Sequence, residues 1–222
     1  MDPVVDAILR RRSVREGLTD APVPVGIVED IVRCGLAAPS SKNARPWRFH
    51  IVADRLLLDE LAGAVENSED IETYVPFDPA TGKPRPECSS SVIESASILR
   101  SAPLAIFIEN TGVFSRGRQA LAEATPEALA SSMVGYTFEV IGLGAAIQNM
   151  WIAAVAHGVS GVFLGDVLIA ERAIQKRLSI ASDLVGVLAL GYSDASESRA
   201  RQRDFADAGR VVWHSSAAQD PR

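Results

Sequence analysis

Residues 133–157 read MVGYTFEVIGLGAAIQNMWIAAVAH, a stretch that is apolar almost all the way round a helix. A helix apolar on every side must be covered on every side. Gly135, Gly142, Gly144 and the alanines between them let neighbouring helices approach closely. Such an element is not the amphipathic crossover of an open doubly wound sheet, so the chain reads as a layered α+β fold. Gly142-Leu143-Gly144 sits inside the helix and is packing, not a dinucleotide-binding turn, and no G-x-G-x-x-G follows a strand elsewhere.

Outward from this helix, the apolar spacing predicts the other elements. Val4, Val5, Ile8 and Leu9 mark a helix over residues 3–12, and Ile27, Val28, Ile31, Val32 and Leu36 mark a second that stops before Pro39. Trp47, Phe49 and Ile51 alternate with Arg48 and His50, the period of a half-buried strand. A helix is predicted over 56–65, strands over 104–108, 159–164 and 184–190, and a helix over 168–178. The strand at 104–108 is short and wholly apolar, as a central strand would be. Residues 67–91 carry Pro76, Pro79, Gly82, Pro84 and Pro86 and read as a long excursion, either a lid or a disordered insertion. Residues 110–131 form a second polar excursion. With no internal repeat, residues 1–222 read as a single domain.

The chain has 222 residues, 47% of them hydrophobic, enough for a substantial core. Its net charge of −6 opposes nucleic acid or an anionic membrane as partner. No aromatics interleave with the basic run near the N-terminus, which further disfavours a nucleic-acid arm. Cys34 and Cys88 lack metal-ligand spacing, and Cys34, in an apolar helical run, is expected to be a buried inert thiol. His50, His157 and His214 are scattered, so no metal site is expected. Asp2 and Asp6 flank a short apolar stretch unlike a secretory signal, and no uninterrupted apolar run reaches about 18 residues. The expected compartment is the cytoplasm.

Two polar motifs carry chemistry. Arg11-Arg12-Ser13-Val14-Arg15 closes the first helix with guanidinium and hydroxyl groups, which bind phosphate through charge-assisted hydrogen bonds. The alternative for that run alone is a solvated face complementing the helix dipole. Pro39-Ser40-Ser41-Lys42-Asn43-Ala44-Arg45-Pro46-Trp47 is a polar turn suited to reading the edge of a heterocycle. Arg199, Arg201 and Arg203 form a second basic group near the other end of the chain.

In this order, the two motifs resemble the FMN-dependent nitroreductase family, with its R-x-S-x-R/K start and P-S-x-x-N-x-Q-P-W loop. The resemblance implies a mixed sheet flanked by helices, an intertwined homodimer with two interface active sites, and hydride transfer from NADH or NADPH through FMN to an electron-poor small molecule such as a nitroaromatic or quinone. Arg11, Arg12, Ser13, Arg201 and Arg203 would hold the FMN phosphate and ribityl chain, with Arg199 able to replace either tail arginine. Arg15 would lie near the flavin pyrimidine edge and stabilise the charge that develops on reduction. Pro39, Ser40, Ser41 and Asn43 would approach the flavin from the partner subunit, with Arg45 standing where the family usually has Gln. Trp47 reads as a core anchor. Gly161 to Gly165 would pass over the central ring, with Gly165 permitting close approach to the hydride-accepting atom and Leu164 replacing the family's Glu. Gln148 and Asn149 are read as satisfied at a helix or subunit contact in preference to a flavin contact. The same fold also hosts dehydrogenation, dehalogenation and flavin-fragmenting chemistry, and a non-catalytic flavin-binding redox sensor is the alternative from another class.

Overall fold

Apolar side chains on both faces of the strand at 104–110 force layers onto both sides of one sheet. A computed structural model describes residues 1–69, 71, 78, 80–83, 85, 90–194, 210 and 212. The described helices are α1 (Pro3–Arg10), α2 (Val25–Leu36), α3 (Arg55–Glu66), α4 (Ser91–Ser101), α5 (Arg118–Ala122), α6 (Pro126–Ala156) and α7 (Glu171–Leu178). The strands are β1 (Trp47–Val52), β2 (Leu104–Asn110), β3 (Ser160–Leu164) and β4 (Asp183–Gly191), in the order β1-β2-β4-β3. All three pairings are antiparallel. Among the described residues the parallel component of the sheet is one isolated bridge, Ser13 to Gly161.

β2 and β4 are central, and their side chains alternate between two cores. Ala105, Phe107, Val187 and Ala189 join α3, α4 and α7 on one face. Leu104, Ile106, Ile108, Leu188 and Leu190 meet α2 and α6 on the other. A Cβ on Gly35 of α2 would stand 2.6 Å from Met150 of α6, so the glycine sets that close crossing. Trp47 is a core anchor, 7% exposed. Asn149 donates its amide to the Cys34 carbonyl at 3.2 Å, the helix contact expected of it.

Several expectations change. The first helix stops at Arg10, because the next residues turn to run beside β3. The predicted helix over 168–178 is a 3-10 turn, Asp166–Ala170, followed by α7. The excursion over 110–131 contains α5 and the first turns of α6, which starts at Pro126 with the proline in its first turn. Most of the 67–91 excursion lies outside the described residues, and α4, which closes it, went unpredicted because serines dilute its Val92-Ala96-Leu99 stripe. Cys34 is exposed, not buried.

α6 is covered on one side only by the described residues. One side is core, yet Met133, Val134, Phe138, Val140 and Ile141 are 56%, 52%, 44%, 40% and 66% exposed. By length and composition α6 could span a bilayer. Its packing against α2 and the sheet makes it a core helix instead, and Glu139 pins it there. This carboxylate is fully buried and accepts hydrogen bonds from Asn110 Nδ2 (2.9 Å), Phe114 N–H (2.6 Å), and Ser115 N–H (2.8 Å) and Oγ (2.7 Å). Burial pushes its pKa up from 4.5, but the hydrogen bonds from Asn110, Ser115 and Phe114 outweigh it and hold the carboxyl below that value.

A folded-state pKa below the unfolded one contributes stability above the unfolded value that is lost as pH falls through the folded one. Glu139→Leu is expected to lower unfolding free energy in urea by about 1–3 kcal/mol for each donor left without an acceptor. It should also flatten the acid limb of stability below the ordinary carboxyl range. Wild-type stability and an unchanged acid limb would contradict the role given to Glu139.

Candidate functional site

The chain after α1 is captured from both sides. Val14 N–H donates to the Gly161 carbonyl at 3.0 Å, and Thr19 N–H donates to the Tyr192 carbonyl at 2.8 Å. Arg11, Arg12, Ser13 and Arg15 are therefore laid along β3, beside the Gly161–Gly165 segment some 150 positions later in the sequence. Two segments that sequence could only match separately are brought together here.

The Arg11 guanidinium lies over the Trp151 ring, 4.3 Å from its centroid, a cation–π contact that orients its fork. Trp151 Nε1 is buried without an acceptor among the described residues. Arg12 and Ser13 are half-buried, and Arg15 is exposed and pairs with Glu94 of α4 at 3.6 Å. Trp151 and Glu94 were not legible as site residues, the first because it reads as one more apolar position in α6. Arg201 and Arg203, like Arg199, lie outside the described residues.

Gly161 is required by packing, since a Cβ there would meet the Ala189 carbonyl oxygen and Leu190 Cδ2, each at 2.6 Å. Gly165 is different. Its φ of −87° suits any residue, and the nearest atom to an added Cβ is in the Phe163 ring at 4.0 Å. Nothing among the described residues demands a glycine at 165, and no described atom lies closer than 4.0 Å to an added Cβ. Leu164, which the resemblance placed over the flavin, is 3% exposed with its side chain in the core cluster shared with α3 and α4, so its backbone alone can face a ligand.

The Pro39–Asn43 turn is built on α6 too, but elsewhere. A Cβ on Gly142 would come within 3.3 Å of Ser40, and Gly142 and Trp151 are nine positions apart, about 13 Å along the axis and on opposite sides of the helix. One chain does not bring Pro39, Ser40, Ser41 and Asn43 to its own Arg11. The turn is strained: Lys42, Asn43 and Arg45 have φ of 51°, 54° and 50°. Left-handed non-glycine residues cost of order 1–3 kcal/mol each, and such strain concentrates in ligand-contacting segments. Ser40 Oγ accepts the Arg45 N–H at 2.9 Å and fixes the turn.

A second buried carboxylate, Glu109, lies at the β2 bulge, accepting from His50 Nε2 (2.8 Å), Arg48 Nη1 (3.2 Å) and Ser182 N–H (3.1 Å). Burial raises its pKa, but the His50 hydrogen bond and the Arg48 charge carry it below 4.5. It ties edge strand β1 to the sheet and lies apart from Arg11. Among the described residues no cluster of His, Cys, Asp or Glu could hold a metal ion.

The model of the nitroreductase family matches residues 8–192. The chain belongs to the nitroreductase family. Over 64 residues it is 34% identical to the chloronitrobenzene nitroreductase of Comamonas testosteroni, covering 29% of this chain and 28% of that relative's length. The NADPH:FMN oxidoreductase of Vibrio harveyi, solved with NAD+, superposes with a TM-score of 0.65 at 20% identity, over 100% of this chain and 80% of that one. A nitroreductase with bound FMN from Desulfitobacterium hafniense gives 0.64 at 16% identity, over 97% and 100%. At such identities these structures share the nitroreductase fold.

Gly161→Ala is expected to destabilise the chain by about 1–3 kcal/mol through overpacking, whereas Gly165→Ala should stay within about 0.5 kcal/mol of wild type. Thermal unfolding of both variants checks this. Equal destabilisation would show that Gly165 serves the fold and not an open site.

Proposed function

We propose that this chain is an FMN-dependent oxidoreductase that takes hydride from NADH or NADPH and passes electrons to an electron-poor small molecule such as a nitroaromatic or quinone. The observation that carries the reading is the Val14–Gly161 junction, which sets an arginine- and serine-bearing segment against a strand ending in an uncrowded glycine. Family membership supports the chemistry, as do the named activities of the relatives.

The residues present fit FMN. The Arg11 fork, pre-oriented by Trp151, suits a phosphate, with Arg12 and Ser13 adjacent. Trp151 Nε1, buried without an acceptor among the described residues, is a donor left unsatisfied beside Arg11. Gly165 leaves room for a ring system to lie close to the backbone, a cradle that a Cβ would fill. When bound, FMN supplies the two-electron chemistry. Arg15 then places a cation where negative charge develops on reduction. Glu94 of α4 lies 3.6 Å from that guanidinium, a solvent-screened neighbour. Arg201 and Arg203 would add charge to the phosphate end. The alternative reactions of the same fold keep this cofactor and these roles.

The Pro39–Asn43 turn would serve the second subunit's flavin. In a homodimer the exposed Met133, Val134, Phe138, Val140 and Ile141 face of α6 finds its cover, at positions i, i+4, i+7 and i, i+7 along one side. Residues 1–222 would act as a single domain, working in the cytoplasm without nucleic acid or membrane.

Arg11→Ala is expected to weaken FMN binding about tenfold or more, the loss of a charge-assisted phosphate contact. Arg15→Gln should change affinity less but lower the flavin midpoint potential by tens of millivolts, since ~1.4 kcal/mol in a two-electron couple is about 30 mV. Fluorescence titration and dye equilibration measure the two. Reversed effects would exchange the roles, and no effect from either would remove the site. Light scattering should give twice the chain's mass, and a fully flavinated, active monomer would contradict the shared site.

A further inference from the structure

Residues 31–53 contain Arg33, Lys42, Arg45 and Arg48 and no Asp or Glu, in a chain of net charge −6. Arg33 pairs with Asp30 and Arg48 with Glu109. Lys42 and Arg45 have no carboxylate partner among the described residues. Arg45 is nonetheless held. Its backbone sits at φ 50°, its N–H is bound by Ser40 Oγ at 2.9 Å, and its Nε donates to Asn43 Oδ1 at 3.3 Å. With Nε engaged by Asn43, the two Nη groups have no partner among the described residues on this exposed side chain, leaving a donor pair of the kind that matches a carboxylate. An exposed arginine of no consequence would not need a left-handed backbone and two local hydrogen bonds to keep it in one orientation.

We propose that Arg45 is a specificity residue, selecting an electron acceptor that carries a carboxylate. This rests on the reading above, in which the Pro39–Asn43 turn faces a flavin. The acidic surface of the chain repels anions, so a local cation at the mouth of the site reverses the field where the acceptor enters. Neutral acceptors of the same size gain nothing from it.

The test uses the flavin-loaded protein and Arg45→Gln with two acceptors of similar shape, para-nitrobenzoate and para-nitrobenzyl alcohol. Expected is a fall of about tenfold or more in kcat/KM for the benzoate and a matching loss of its affinity by calorimetry, while the alcohol changes by less than about threefold. FMN affinity and flavin potential should stay at wild-type values. Lys42→Gln, which removes a neighbouring charge without the held fork, should have the smaller effect on the benzoate. Equal losses for both acceptors, or a shifted potential, would make Arg45 a flavin contact and overturn the proposal. So would equal effects of Arg45→Gln and Lys42→Gln, which indicate a diffuse field. Dissociation of the dimer in Arg45→Gln would place the guanidinium on a partner carboxylate and also overturn it. Slower reduction by NADPH than by NADH in stopped flow, with acceptors unaffected, would move the selectivity to the donor's phosphate and contradict the assignment. A protein that neither carries nor binds FMN fails the underlying reading; a flavin-loaded protein in which wild type and Arg45→Gln treat both acceptors alike fails this proposal alone.

Discussion

α6 carries more apolar surface than the described residues cover, and the site is arranged around that surplus. Its inner side packs on β2, β4 and α2, closed up by the contact at Gly35. Its N-terminal half then presents Val134, Phe138 and Ile141 outward. Burial at roughly 25 cal/mol per Å2 makes such a face a strong drive to association. The helix also seats both polar motifs: Trp151 lies under Arg11, and Gly142 receives Ser40. Those seats face opposite ways and stand about 13 Å apart along the helix, and the proposed two-subunit arrangement would account for both the exposed face and the separation of the turn from Arg11.

Strain and support are balanced locally. Three left-handed residues in the Lys42–Arg45 stretch oppose folding of the turn. Against them stand the Ser40–Arg45 hydrogen bond, the buried Trp47 that ends the turn, and the seat on Gly142. On the far side of the sheet's bulge, Glu109 and Glu139 flank Asn110 and fix β1 and the 111–117 loop through charge-assisted bonds. Two buried carboxylates meeting the same end of β2 would be costly if either lost its donors. Both are held ionised by the groups around them.

Much of this was legible from residue type and spacing. The 3.6 period located α2 and α3, alternation located β1, and short apolar runs located β2, β3 and β4, all to within a residue or two, because each buries a clear stripe or face. Apolar content alone could not say which side of α6 has a neighbour within the chain, so its outer face was read as buried, and Cys34 with its helix. α4 escaped because four serines dilute its stripe. In the site, Arg11, Ser13 and the Pro39–Asn43 turn announce themselves by type. The Trp151 platform, the Glu94 partner and the Gly161 junction arise from contacts across more than 75 residues of sequence, where no local pattern reports them. Leu164 was assigned to the pocket from its motif position, and alternation along β3 sends its side chain to the core instead.

The central claim is that the Arg11–Arg15 segment and β3 together form a flavin site. The visible absorption spectrum of the purified protein, recorded before and after anaerobic addition of NADH and NADPH, tests it most directly. The account predicts the two bands of oxidised, protein-bound flavin, bleached by at least one nicotinamide. A colourless protein that gains no such bands after incubation with FMN would contradict it.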